Sequence, residues 1–215
     1  MKTTPKTIAL CIALTLAVCA ASADTIANGP ISSENAGKQE TGFGDMVADA
    51  LLDASGADIA LVAAVSLKPG AIPAGPITGE QVSSLLQNPE EVWAVSKLTG
   101  AQVIAALENS LSRLPGTSSG FLQVAGITVT YSADGPRNGR VQSVSVGSAP
   151  LDEQKTYRVA MPLSLAKGGS GYFVVFSASM IEGDPSTQSI LDAATSMLSR
   201  VRSVTYDGKG RLIAQ

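Results

Sequence analysis

Hydrophobic residues recur every three or four positions in four stretches of the chain, and this period predicts amphipathic helices. The stretches are residues 43–51, 78–86, 99–111 and 189–198. The third carries an apolar stripe formed by Val103, Ile104, Leu107 and Leu111, which is expected to be buried. Two of the four stretches begin with a capping box, because Gln81 follows Thr78 and Gln102 follows Thr99 at the required three-residue spacing.

Other stretches alternate with a period of two or are apolar throughout, which predicts strands. Residues 58–64 form a continuous apolar run that is typical of a strand buried on both faces. Further strands are predicted at residues 92–98, 122–131, 141–146 and 157–163, the second of them with a break near Gly126. Residues 205–210, "TYDGKG", predict a final hairpin. Helices and strands are intermixed, so the expected fold class is α+β, a single domain with a mixed β-sheet packed by helices.

The first residues predict a secretory signal peptide. Lys2 and Lys6 precede an apolar run that is too short to cross a bilayer, and a small-residue cleavage pattern ends at Ala23. The expected organisation is a signal peptide at 1–23, a flexible polar lead-in at 24–39 and one domain at 40–215. A lipoprotein signal that uses Cys19 is the alternative. Either signal predicts a secreted or periplasmic protein.

Composition excludes several kinds of chemistry. The sequence has no histidine, so it can form neither a Ser-His-Asp triad nor an imidazole-ligated metal site. Its two cysteines, Cys11 and Cys19, both lie in the predicted signal. Net charge is -3 and no basic cluster is present, which argues against nucleic-acid binding. No second apolar run is long enough to span a membrane. We expect no metal and no cofactor.

The stretch "LAKGGSGYF" leaves two interpretations open. Its three glycines permit close approach to a ligand, but they also suit a structural turn that packs Tyr172 and Phe173 into the core. Among the acidic residues, Asp45, Asp49 and Asp53 follow a helical spacing that is typical of a solvated helix face.

Six segments in order resemble the C-terminal domain of the 5'-nucleotidase/UDP-sugar hydrolase family. They are "ETGFGDMVADALLDASGADIALVAA", "IPAGPITGEQV", "KLTGAQVIAALENS", "GFLQVAGITVTYS", "PLDEQKTYRVAM" and "LAKGGSGYF". The resemblance runs from about Glu40 to the end of the chain. It implies the fold of that domain, which holds the nucleoside part of the substrate, whereas a separate N-terminal metallophosphatase domain with two metal ions performs hydrolysis in this family.

The resemblance also implies where a ligand lies, and there the sequence departs from the family. The family loop reads Gly-Gly-Asp-Gly-Tyr, so Gly168 and Gly169 are kept while Ser170 replaces the ligand-contacting acid. Ser164 replaces an aromatic residue that stacks on the base. The segment that carries the second stacking aromatic reads Asn-Pro-Glu-Glu at residues 88–91.

A family arginine is also replaced, because Lys68 stands where the family loop after the first strand presents it, and only Lys38 is near the position of another. Lysine is a point charge and cannot reproduce the guanidinium fork. The candidate ligand-binding residues implied by the resemblance are Lys68, Ser164, Gly168, Gly169 and Ser170. No catalytic residue is assigned. Trp93 is expected to pack near the middle strand or, alternatively, to supply a replacement stacking surface.

Three functions remain open. The first is a secreted, non-catalytic module that binds a nucleoside, another small molecule or a protein partner through a degenerate cleft. The second is the substrate-binding subunit of a two-part nucleotide hydrolase, in nucleotide catabolism, with a separately encoded metallophosphatase. The third is a self-contained hydrolase with a new active site. The residues favour it least, since no acid pair is localised by the sequence.

Overall fold

The computed structural model describes residues 25–215. The predicted signal peptide, residues 1–23, lies outside the described residues. The helices are α1 (Gly42–Ser55), α2 (Gly79–Leu85), α3 (Gly100–Leu111), α4 (Leu163–Ala166) and α5 (Ile190–Leu198). Short 3₁₀ turns lie at Ala64–Ser66 and Ala178–Met180.

The strands are short at the two ends of the chain and longer in the middle. They are β1 (Ile26–Ala27), β2 (Ile31–Ser32), β3 (Ile59–Ala63), β4 (Ala71–Ile72), β5 (Gly75–Pro76), β6 (Trp93–Thr99), β7 (Leu122–Ala125), β8 (Ile127–Tyr131), β9 (Val141–Val146), β10 (Ala149–Pro150), β11 (Thr156–Pro162), β12 (Ser203–Val204) and β13 (Leu212–Ala214). This arrangement is α+β, as the sequence predicts.

A four-stranded mixed sheet forms the centre of the domain, in the order β6-β11-β3-β7. β11 runs parallel to β3, while the pairs β11-β6 and β3-β7 are antiparallel. All five residues of β3 are buried, because both faces of the sheet are covered. Ala60 and Val62 join the buried cluster on the side of α1, and Ile59 and Leu61 join the cluster on the side of α3. The predicted doubly buried strand is confirmed.

A second sheet, in the order β10-β9-β8-β13, follows directly from the first. Gly126 separates β7 from β8 with φ of +78°. A Cβ at this position would lie 2.2 Å from the carbonyl oxygen of Asp58, so both the backbone angle and the close approach require glycine. The predicted break near Gly126 is therefore present, and it directs the chain from the central sheet into the second one.

The final hairpin is not observed. The strands on either side of "YDGKG" do not pair with each other: β12 runs parallel to β1, and β13 runs parallel to β8. The turn residues have the composition of a hairpin, but each flanking strand finds a partner far away in sequence. β1 and β2 themselves lie in the predicted lead-in, where Ile31 is fully buried in the core.

Both predicted capping boxes are present, and the one at α3 allows a direct test. The Gln102 amide donates to Thr99 Oγ1 at 3.3 Å, and the Thr99 amide donates to Gln102 Oε1 at 2.8 Å. Thr99→Ala removes one of these bonds, so we expect it to lower the free energy of unfolding by about 1 kcal/mol in urea denaturation. Thr187→Ala, at an exposed site, is the control. Equal effects of the two substitutions would show that the cap does not stabilise the helix.

Candidate ligand-binding site

The glycine-rich loop leaves the sheet at the end of β11 and owes its shape to two close approaches. Gly168 has φ of +88°, and a Cβ there would lie 2.8 Å from the Cα of Phe173. A Cβ on Gly169 would lie 2.7 Å from the carbonyl oxygen of Ser164. These two glycines therefore fold the loop back on itself.

Tyr172 anchors the loop to the domain. Its ring is fully buried and stacks on Phe176, with 5.0 Å between ring centroids. Its hydroxyl donates to the carbonyl oxygen of Gly120 at 2.6 Å. The structural-turn interpretation is correct for Tyr172 but wrong for Phe173, which is 76% exposed. Phe176 takes the core position instead, because the chain turns outward directly after Tyr172.

Two adjoining cavities lie beside this loop. The first, the apolar cleft, has a volume of about 440 Å³ and is lined by Ser33, Glu34, Asn35, Ala36, Gly37, Ala64, Val65, Leu67, Pro69, Thr117, Ser118 and Ser119. The second, the arginine cup, has a volume of about 560 Å³ and is lined by Asn109, Ser112, Arg113, Thr117, Ser118, Ser119, Arg137, Ser170 and Gly171. The two share residues 117–119 in their linings, and volumes of this order suit small-molecule sites.

The five candidate residues are spread around these cavities. Ser170 lines the arginine cup and adopts φ of +57°, which is uncommon for a residue with a side chain. Lys68 is exposed between two residues of the apolar cleft without lining it, and Lys38 is exposed next to Gly37. Ser164, Gly168 and Gly169 lie outside both cavities.

A hydrogen bond joins residue 164 to the segment at residues 88–91. The Ser164 amide donates to Glu91 Oε1 at 2.9 Å. The carbonyl oxygen of Glu91 accepts from the Ile190 amide at 2.8 Å, which ties this segment to the start of α5. The structure thus brings Glu91 and Ser164 together. Trp93 is half-buried on β6 and lines neither cavity.

A separate polar cluster holds the C-terminal strand to α1. Arg211 donates from both terminal nitrogens to the carboxylate of Asp49, each at 2.8 Å. Asp45 is only 3% exposed, and its Oδ1 lies 3.6 Å from Arg211 Nε. Glu40 accepts from the Arg211 and Leu212 amides. The predicted solvated face is wrong for Asp45, because an arginine far along the chain covers it.

Burial changes the acidity of this cluster. Desolvation raises the pKa of Asp45 to about 8, although the charge of Arg211 acts in the opposite direction. Glu40 adds to the rise through its charge and through a hydrogen bond to the Asp45 carboxyl. A 320 Å³ cavity beside the cluster is lined by Asp45, Asp49, Val204, Thr205, Tyr206, Asp207, Lys209 and Arg211. Arg211 pairs there with Asp49 and lies close to Asp45, and these contacts hold β13 to α1.

Residues 18–178, most of the chain, match the family described as 5'-nucleotidase, C-terminal domain. The chain belongs to the 5'-nucleotidase C-terminal domain family. A trifunctional nucleotide phosphoesterase protein of Bacillus subtilis, YfkN, is 33% identical over 155 residues, which is 68% of this chain and 10% of that protein. A 5'-nucleotidase of Vibrio vulnificus is 30% identical over 134 residues, which is 62% of this chain and 23% of that protein.

The fold of the family is found in solved structures as well. A 5'-nucleotidase precursor from Thermus thermophilus superposes with a TM-score of 0.78 at 28% identity, over 89% of this chain and 39% of that one. The chain thus spans well under half the length of each of these three proteins. Within residues 25–215, no helix is long and apolar enough to cross a membrane, and no group of three metal-ligating side chains is found.

Proposed function

We propose that this chain is a secreted or periplasmic binding module for a small organic ligand of the nucleotide class, and that it performs no hydrolysis by itself. The observation that supports this is the pair of adjoining cavities beside the anchored glycine loop. Membership of the 5'-nucleotidase C-terminal domain family supports the ligand class. The apolar cleft suits the base or another flat organic group, because Ala36, Val65 and Leu67 line it.

Binding is proposed to proceed without stacking on aromatic residues. Ser164 and Glu91 hydrogen-bond where the resemblance places the stacking side chains. Stacking of a base contributes about 1–3 kcal/mol per aromatic contact. The loss of two contacts corresponds to about 30-fold to 20,000-fold weaker binding. We therefore expect a weak nucleoside binder with altered ligand preference.

A pair of matched charge substitutions tests ligand binding in the cleft. Val65 is 45% exposed and lines the cleft, while Val201 is 41% exposed and lies outside both cavities. AMP and UDP-glucose are titrated into the protein while amide NMR shifts are recorded. We expect Val65→Glu to weaken nucleotide binding about tenfold by placing a charged carboxylate in the apolar lining that contacts the organic group, and Val201→Glu to leave it unchanged. An absence of shifts around Val65 at millimolar ligand would contradict the proposal.

The absence of catalysis is tested by phosphate release. The sequence has no histidine to ligate a metal ion. We expect the purified protein to release no phosphate from AMP or UDP-sugars with added Mn²⁺, Mg²⁺ or Zn²⁺. Metal-dependent turnover that follows the protein through purification, and that a point substitution in it abolishes, would show that it is a hydrolase.

A second candidate is the substrate-binding subunit of a two-part nucleotide hydrolase. Exposed apolar side chains near the two cavities favour it: Val65, Phe173 and Val174 are 45%, 76% and 75% exposed. A separately encoded metallophosphatase that covers them would complete such an enzyme. Co-purification of a metallophosphatase from the source cells would support the subunit. If the wild type retains no such protein, or if Phe173→Ser retains it equally well, the standalone module is favoured.

A further inference from the structure

The arginine cup differs in charge from the rest of the molecule. Two guanidinium groups, those of Arg113 and Arg137, line it, and no carboxylate does. The whole chain, by contrast, carries 18 acidic and 15 basic side chains. Neither arginine forms a salt bridge within residues 25–215. Two arginines that line one cavity and form no ion pair favour an anionic ligand. Glu108, which lines a neighbouring cavity together with Arg137, accepts instead from the amides of Arg140 and Val141.

Hydroxyl groups and backbone amides complete the lining. Five residues with hydroxyl side chains line the same cavity, Ser112, Thr117, Ser118, Ser119 and Ser170, although the Ser112 hydroxyl donates to Asn109 O. Among the described residues, the amides of Ser170 and Gly171 donate no hydrogen bond. Both residues have positive φ, at +57° and +87°. Successive amides in such turns are donors to anions in other proteins, and hydroxyl groups hydrogen-bond phosphate oxygens equally well.

The end of α3 lies beside the cup. The last carbonyl groups of a helix carry partial negative charge, which disfavours a phosphate. Two of these groups are already paired: Asn109 O accepts from the Ser112 hydroxyl at 2.8 Å, and Leu111 O accepts from Arg140 Nη1 at 2.8 Å. Arg113 and Arg137 add full positive charges beside them.

We propose that the arginine cup binds the phosphate group of an organic phosphate, with Arg113 and Arg137 as its charged ligands and Ser170 and Gly171 as backbone donors. This proposal rests on the proposed function and extends it. The organic part of the same ligand then occupies the adjoining apolar cleft, which shares residues 117–119 with the cup. The exchange of the family's acid for Ser170 contributes directly, since an aspartate here would repel the phosphate.

Inorganic pyrophosphate is the probe, titrated into the full protein with amide NMR shifts as the readout. We expect shifts at Arg113, Ser119 and Ser170, and weaker binding at higher salt. The double substitution Arg113→Gln plus Arg137→Gln should weaken binding about 100-fold, because each charged hydrogen-bonding partner contributes about tenfold or more. Arg202→Gln, at an exposed arginine outside the cup, is the matched control.

A third variant introduces a negative charge into the cup at residue 170. Ser170→Asp should weaken pyrophosphate binding about tenfold, since aspartate tolerates positive φ and keeps the loop shape. Equal binding by the wild type and the double arginine variant would overturn the proposal, as would an equal loss in Arg202→Gln or no shift at millimolar pyrophosphate.

The proposed function can fail independently of the phosphate site. Pyrophosphate shifts at Arg113 and Ser170, with no response of Val65 to AMP or to adenosine, would leave the cup as an anion site and remove the cleft as a ligand site. Adenosine shifts at Val65, without any pyrophosphate response, would retain the module and remove the phosphate site.

Discussion

Leu107→Ala is expected to lower the free energy of unfolding by about 2–5 kcal/mol, as large-to-small substitutions in a packed core do. Leu107 is 1% exposed and belongs to the buried cluster that α3 forms against the central sheet. Leu98 and Val159 of the sheet are members of the same cluster. The cost has two parts, the lost burial of the side chain and the cavity left behind. Urea denaturation of the purified protein measures it.

Lys68→Ala is the control for this prediction. Lys68 is exposed, so its removal should change the free energy of unfolding by less than about 0.5 kcal/mol. The same comparison tests whether Lys68, in the loop after β3, is available to a ligand. If Lys68→Ala is as damaging as Leu107→Ala, then the lysine is paired within the fold and is not available to a ligand.

Asp45→Asn is expected to stabilise the protein at alkaline pH by about 1–3 kcal/mol, the cost of a buried polar group without adequate partners. Desolvation raises the pKa of Asp45 from 3.8 to about 8, so the folded protein keeps this carboxyl protonated where the unfolded chain ionises it. The folded state then binds more protons, and its stability falls as pH rises between these two values. The asparagine amide can still donate to Glu40 and cannot ionise.

The groups that face Asp45 set the design of this experiment. They are Glu40, Asp49, Tyr206 and Arg211, all of which the substitution leaves in place. Urea denaturation at about pH 5.5 and at about pH 9 should give a larger gain at the higher pH. Asp53→Asn on the same helix is the control, since Asp53 is exposed and pairs with Arg200. An equal gain at both pH values would show that Asp45 does not titrate in this range.

The parts of the fold that the sequence predicts correctly are those with local causes. Each capping box, at Thr78 and at Thr99, is formed by residues only three positions apart. The hydrophobic patterns that predict α1 and β3 each lie within a single element. Such patterns need no knowledge of what packs against them. The family resemblance supplies the rest of the topology, because six ordered segments fix the sequence of the elements.

The errors occur where remote residues decide the outcome. The turn at "YDGKG" does not close a hairpin, because β13 pairs with β8. Asp45 is buried by Arg211, a residue 166 positions later, and its helical spacing alone gives no sign of this. Phe176, and not Phe173, stacks on the ring of Tyr172, and Phe173 stays exposed.

The residues of the candidate site also divide into those that the sequence identifies and those that only the folded chain brings together. Ser170 is identified from its place in the glycine loop. Arg113 follows a helix and Arg137 lies in a turn, and neither belongs to a motif, so only the folded chain brings them together. Both are single arginines in polar segments, and the sequence gives no signal that they share a cavity.

Calorimetric titration with adenosine tests most directly whether the apolar cleft binds a nucleoside without an aromatic partner. The wild type should bind adenosine weakly, with a dissociation constant above the micromolar range. Val65→Phe, which adds an aromatic ring to the lining of the cleft, should strengthen binding by about tenfold or more, since one stacking contact contributes about 1–3 kcal/mol. Low-micromolar binding by the wild type, or no gain in Val65→Phe, would contradict this view of the site.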